Sequence, residues 1–398
     1  GRSWRRAVSA WLTRRDAQSL AYQMLKYKRR DGVSVSQLLR YAHPKPPTDT
    51  HSALFHWALY GWPSVGDEPH PDHVLRLVWA VERLHRLHPT DVATAVDLIA
   101  TYRMVREMVP TSFLQHRSVW AALVPFMPIH ALLRSIVSLS RIGVFSDQAT
   151  RPHVLAMVER RLTDEEVLCS VHPLHIYLAL TTYKAGYSAV TREHWSVDTD
   201  LVRILTNSLD RSFAKGNPSN KRIVVALDIS GSMRQTYDNA QVSSYVPIHI
   251  GALLLAYILR IEPYATAYLF TDRTFDYHGT THRGVMDTIT YVCSYPSGNT
   301  DISSPLFRAM QDVPDADAVV LITDNETWKN KQPIHVVMDR YRAITKKPTK
   351  LIVIGLTATR YTVADPNDPY AYNIAGFSTT VPDVLSSLLG AAVTSTDD

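Results

Sequence analysis

Cysteine is nearly absent from this 398-residue chain: Cys169 and Cys293 are the only two, far apart and in no Cys-x-x-Cys pair. That excludes a disulfide framework or a cysteine zinc site and sets the expectation of a reducing, cytoplasmic protein. Long hydrophobic runs are missing as well, so no segment is expected to span a bilayer. The start, Gly1-Arg2-Ser3-Trp4-Arg5-Arg6, is basic with no apolar stretch of secretory type. It opens on Gly rather than Met, which suggests a processed or shortened beginning. No G-x-x-x-x-G-K-[ST] phosphate loop and no G-x-S-x-G elbow occurs, removing the commonest nucleotide-hydrolysing and serine-hydrolase readings. No repeat of fixed period is evident.

Charge is present but lopsided. The net +5 resolves into +8 over residues 1–220 (27 Lys and Arg against 19 Asp and Glu) and −3 over residues 221–398 (15 against 18). The first 45 residues alone hold 11 basic side chains against Asp16 and Asp31, and 13 of the 17 histidines precede residue 221. Such asymmetry points to a polyanion met by the N-terminal part.

Two architectures follow one another. Up to residue 213, apolar residues recur at helical spacing, as in Leu20-Ala21 with Met24-Leu25 or Leu132-Leu133 with Ile136-Val137. Breaks fall at Asp31-Gly32, Pro44 to Pro47, Gly61 to Pro63, Pro110-Thr111, Pro125 and Gly143. Helices of this length joined by short turns suggest a stacked, HEAT-like array. Gly216-Asn217-Pro218-Ser219-Asn220 reads as the boundary, giving domains of 1–215 and 221–398. Beyond it, strands at 223–227, 265–270, 318–323 and 350–356 alternate with helices near 248–260, 302–312, 333–344 and 381–392, implying an α/β domain with a mostly parallel sheet.

The run Ile223-Val224-Val225-Ala226-Leu227 ends in Asp228-Ile229-Ser230-Gly231-Ser232. A buried strand opening into one carboxylate and two hydroxyls supplies oxygen ligands only, which suit a hard cation such as Mg2+. This D-x-S-x-S string resembles the metal-ion-dependent adhesion site (MIDAS) of von Willebrand factor A domains. Ser297-Gly298-Asn299-Thr300-Asp301 resembles that family's second metal loop, and the strand ending in Thr323-Asp324 its third. The resemblance implies a Mg2+ or other divalent site made by Asp228, Ser230, Ser232, Thr300 and Asp324. A two-metal nuclease needs more carboxylates than these loops bring.

Both halves together resemble the Ro ribonucleoprotein family, whose TROVE module is a ring of HEAT-like helices closed by a Rossmann-like von Willebrand factor A domain. The motifs run in order: Gly1-Arg2 through Arg5, Ala7 and Trp11; Lys26-Tyr27-Lys28-Arg29-Arg30-Asp31-Gly32; Leu38-Leu39-Arg40-Tyr41-Ala42-His43-Pro44-Lys45-Pro46; His172-Pro173-Leu174-His175; Thr323-Asp324-Asn325-Glu326-Thr327; Gly376-Phe377-Ser378-Thr379. The fold implied is multidomain, α followed by α/β. The family's ring begins well before the equivalent of Gly1, so its opening helices are expected to be missing here. Ser170 stands where members often carry a basic residue, and Asn299 replaces a usual Gly.

What the resemblance implies is binding without catalysis. Ro proteins bind small noncoding Y RNAs on the outer ring and single-stranded 3′ ends of misfolded RNAs in its hole. Carried over by motif, Lys26, Lys28, Arg30, Arg40, His43 and Lys45 are the expected RNA contacts, a chemistry that fits phosphate neutralisation. Arg106, Arg134, His172, His175 and Lys184 are secondary candidates; for the two histidines a place in the core is an equal expectation. Tyr22 and Tyr27 are capable of stacking on bases, with core packing the preferred reading for Tyr22. Further expected partners are an exoribonuclease reached through bound RNA and an acidic protein side chain at the MIDAS, in a monomer without membrane contact. The rival reading is a Mg2+-dependent adhesion scaffold with no RNA role, which leaves the +8 of the N-terminal part unexplained.

Overall fold

Five β-branched or apolar residues without a polar break make β1 (Ile223–Asp228) a strand buried on both faces, and every residue of it is buried. In the computed structural model, which describes residues 1–30, 32–62, 75–188, 191–212, 218–238, 244–279, 284–325, 332–357, 362–376 and 381–390, β1 lies inside a six-stranded sheet. The other strands are β2 (Ala265–Phe270), β3 (Thr274–Asp276), β4 (Ala318–Thr323), β5 (Lys350–Gly355) and β6 (Ala371–Ala375), in the order β6-β5-β4-β1-β2-β3. All pairings are parallel except β2 with β3. The chain leaves β1 for β2 on one side and reaches β4 on the other. Between β1 and β4, therefore, lies a topological switch point, where strand carboxyl ends open a crevice.

The core on one sheet face joins Val224, Ala226, Phe270, Val319 and Leu321 to helices at 303–312 and 334–345, through Leu306, Val337 and Tyr341. On the other face Gly251, in the helix Pro247–Ile261, approaches so closely that a Cβ there would stand 2.4 Å from Leu227 Cδ1.

Ahead of the sheet the chain is helical: α1 (Arg2–Thr13), α2 (Ala17–Lys26), α3 (Val35–Ala42), α4 (Asp49–Tyr60), α5 (Arg76–Arg86), α6 (Val92–Thr101), α7 (Arg117–Leu123), α8 (Ile129–Arg141), α9 (Arg151–Thr163), α10 (Glu165–Cys169), α11 (Pro173–Ala185) and α12 (Thr199–Ser212). Helices pack on near neighbours in sequence, α1 on α3, α2 on α4 and α5, α6 on α7, as a stacked array does. Leu12, Leu20, Met24 and Leu54 are fully buried, each contributing about 1.5–3 kcal/mol. At Pro125 the α-helix has ended, as expected: α7 stops at Leu123, Pro125 sits in a short 3-10 turn over 124–126, and α8 starts at Ile129. Among the described residues no helix is long and apolar enough to cross a membrane.

The chain packs as two compact units, residues 1–161 with 182–202, and residues 162–181 with 203 onward. The change of unit thus falls within α12, ahead of the expected boundary. Gly216-Asn217, Asp31, Pro63, Glu326-Thr327 and Phe377-Ser378-Thr379 lie outside the described residues. Among the elements not expected from sequence are β3, β6 and the helix Val285–Cys293.

Candidate functional site

Asp228 is the last residue of β1, and its carboxylate is held from both sides. Oδ1 accepts the Ser230 backbone N–H at 2.9 Å, and Oδ2 accepts the Thr323 hydroxyl at 2.8 Å. The sheet explains the second bond: β1 and β4 run parallel with Leu227 beside Ile322, so the next residue of each strand also meets its neighbour. Asp324 follows directly. Ser230 and Ser232 hydroxyls stand 3.2 Å apart, and Gly231 N–H donates to Gly298 O at 3.1 Å, tying the first loop to the loop that carries Thr300. That loop is tied in turn to β2, since Asp301 N–H donates to Thr271 O at 3.0 Å.

Burial sets the electrostatics. Asp228, Ser230, Thr300 and Asp324 are essentially inaccessible, and Ser232 is half-buried. Burial first, and then the charge of Asp324, push the Asp228 carboxyl up to about 7. Two buried carboxylates that repel one another, ringed by hydroxyls, form an all-oxygen donor set suited to a hard divalent cation, which removes the repulsion. Among the described residues no three His, Cys, Asp or Glu side chains converge.

Gly298 is a residue whose role the sequence did not declare. A Cβ there would lie 3.1 Å from Thr271 Cβ and 3.2 Å from its hydroxyl, so a side chain requires Thr271 or the Thr300 loop to give by a few tenths of an ångström. Gly298→Val is expected to weaken divalent-ion binding at least tenfold, with a lowered melting temperature as overpacking requires. Calorimetric titration with Mg2+ checks this; wild-type affinity in the variant contradicts it.

In the helical unit, Lys26 ends α2 with its ammonium 5.7 Å from the Tyr22 ring and 5.3 Å from the Tyr27 ring. Tyr22 is half-buried and Tyr27 exposed, so both rings border the cation. Lys28, Arg40, His43 and Lys45 are exposed. Arg30 lies in a two-residue ladder with Val33, and its side chain lies outside the described residues. His43 caps α3 in the left-handed region at φ 46°, its N–H donating to Leu39 O. A reciprocal Ser34–Gln37 capping box fixes the start of α3. Among the described residues no carboxylate pairs with Lys26, Lys28, Arg40 or Lys45, whereas Arg86, Arg117, Arg141 and Arg151 are all paired with acids.

The histidine excess proves partly architectural. His51 is buried between Thr48 and the Arg15 carbonyl, and His85 meets the Met108 carbonyl at 3.0 Å. His172 is half-buried, and burial, then His175, push it down to about 4. Arg106, Arg134, His175 and Lys184 are exposed.

Comparison with known proteins covers both units. The family described as "Ro60 vWA domain" matches residues 222–389, and the TROVE domain matches residues 98–212. The chain is 32% identical over 392 residues to the RNA-binding protein RO60 of Deinococcus radiodurans, covering 97% of this chain and 71% of that protein. Its identity to the RNA-binding protein RO60 of Caenorhabditis elegans is 26% over 429 residues, covering 97% and 65%. The crystal structure of the Deinococcus radiodurans RO (RSR) protein superposes with a TM-score of 0.79 at 31% identity, over 98% of this chain and 77% of that one. The chain thus spans roughly two thirds of the length of these curated relatives.

Proposed function

The chain belongs to the Ro ribonucleoprotein family, and on that premise we propose that it binds small structured noncoding RNA of the Y type, through residues 1–215, without catalysing a reaction. The observation that carries this reading is the set of cations Lys26, Lys28, Arg40 and Lys45, all but half-buried Lys26 exposed, and none neutralised by a described carboxylate. Unpaired cations at a surface are favourable where phosphates replace solvent counterions. Lys26, Lys28, Arg30, Arg40, His43 and Lys45 are its contacts, with Tyr22 and Tyr27 beside Lys26. A left-handed cap at His43 turns the chain sharply after α3, so that Arg40, His43 and Lys45 are presented around one helix end.

Residues 221–398 form, in this reading, a metal domain. Asp228, Ser230, Ser232, Thr300 and Asp324 would hold Mg2+ or a similar ion, which would in turn recruit an acidic side chain of a protein partner. The ion, when bound, supplies Lewis acidity toward such a carboxylate. The chain's own part is to keep Asp228 oriented through Ser230 and Thr323 and to hold the loops together through Gly231 and Gly298. By the same family reading, 3′ ends of misfolded RNA are a second RNA class, an exoribonuclease is met through bound RNA, and the protein works as a cytoplasmic monomer in RNA quality control.

The deciding experiment is recovery of the native full-length protein and sequencing of the RNA that comes with it, with ends mapped. A small set of folded RNAs, strongly enriched over total RNA, is expected. RNA-free protein, or RNA matching the total pool, overturns the proposal and leaves the adhesion reading.

A further inference from the structure

We infer that the two-residue ladder of Tyr187–Ser188 with Glu193–His194 in the helical unit carries a base-stacking platform for single-stranded RNA, built by Tyr187 and His194 with Lys184 and Arg192 close to them in the chain. The inference rests on the RNA-binding reading above but uses none of the contacts it names, Lys184 having been a secondary candidate from sequence.

Tyr187 and His194 face each other across a two-residue antiparallel ladder, with ring centroids 4.6 Å apart and planes 35° from parallel. Tyr187 is 43% exposed and His194 is exposed. The strands beneath them are held firmly. Trp195, next along the chain, is buried; its indole N–H donates to Tyr183 O at 2.8 Å, and its backbone N–H to Gly186 O at 3.1 Å. Tyr183 is fully buried, and its hydroxyl accepts the Asp198 N–H at 2.8 Å. Glu193 pairs with Arg141, so the one acid of the ladder is neutralised.

Cross-strand pairing of rings by itself stabilises a hairpin. It does not account for what surrounds this pair. Lys184, in the last turn of α11, and Arg192 are both exposed, and neither pairs with an acid among the described residues. Arg192 also adopts φ 56°, a left-handed conformation usual for Gly or Asn. Two exposed rings paired across a ladder anchored by Trp195, with two unpaired cations within three residues of them along the chain, match the pattern by which proteins hold unpaired strands. Bases stack on the rings and phosphates meet the cations. A duplex offers no free base face, so the ligand is a single strand.

The test uses the full chain and a labelled 12-nucleotide oligouridylate, alongside the same oligomer with abasic residues and a small folded RNA, read by fluorescence anisotropy. Tyr187→Ala is expected to bind oligouridylate about tenfold more weakly, Tyr187→Phe to stay within about twofold of wild type, and both to bind the folded RNA as wild type does. On the abasic oligomer, wild type and Tyr187→Ala are expected to bind alike. Unchanged oligouridylate binding by Tyr187→Ala overturns the platform while the RNA reading stands, and marks the pair as a protein-docking or purely structural feature. Equal losses on abasic and normal oligomers also overturn it, since the tyrosine then acts through the ladder's shape. Failure of the wild-type chain to bind any of the three ligands removes the underlying RNA reading itself.

Discussion

Asp228→Asn is expected to lose Mg2+ binding by at least 100-fold and, without metal, to be more stable than wild type near neutral pH. The asparagine keeps an oxygen for the Ser230 N–H, and the Thr323 hydroxyl turns from donor to acceptor, so the buried hydrogen bonds survive. What disappears is a buried charge facing Asp324. The sign follows from proton linkage. Asp228 titrates near 7 in the folded protein and near 3.8 when unfolded, so between those values the folded state holds a proton that the unfolded state lacks. Its contribution to stability is present in full below about pH 4 and lost as pH rises to about 7, by an amount on the order of 4 kcal/mol. Metal-free wild type is therefore expected to melt lower at pH 7.5 than at pH 5.5 relative to Asp228→Asn. Mg2+ should raise the wild-type melting temperature more at the higher pH, because the carboxylate must be deprotonated to bind. RNA affinity should stay as in wild type, since the basic segment belongs to the other unit. Parallel melting curves for the two proteins at both pH values, or equal Mg2+ affinity, contradict this account.

Much of this site was legible in the sequence for a simple reason. A strand buried on both faces must be continuously apolar, so 223–227 and 318–323 declare themselves, and the first polar residue after each marks the crevice. Thr323 was legible only once register was known, because a hydroxyl at a strand end carries no signal until the neighbouring strand places Asp228 beside it. The helix 285–293 was missed because Val285, Thr288, Ile289, Thr290 and Val292 are β-branched and favour strands locally; packing against the helix 247–261 overrides that preference. β3 is three residues long and antiparallel, below what alternation can reveal, and β6 is an edge strand mixing exposed with half-buried positions. The ladder of 187–188 with 193–194 escaped for a different reason: it is two residues long and is anchored by Trp195, through hydrogen bonds that only the fold creates. In the helical unit the histidine count overstated the polyanion signal, since His51 and His85 tether backbone carbonyls.

The basic segment carries the second large effect. Lys26→Ala, Arg40→Ala and His43→Asn together are expected to weaken binding of a small folded RNA about 100-fold at physiological salt. Asparagine is chosen at 43 because it tolerates the left-handed backbone there, and none of the three side chains is buried, so the variant should melt as wild type does. Each cation removed from a phosphate takes nearly one counterion out of the salt dependence. The central claim, that this segment meets RNA phosphates, is tested most directly by filter binding of such an RNA to wild type and triple variant over a series of salt concentrations. Wild type is expected to show a steep linear fall of log affinity with log salt, and the folded variant a slope shallower by about two. Identical affinities and slopes in two equally stable proteins would place the RNA surface elsewhere and contradict the claim.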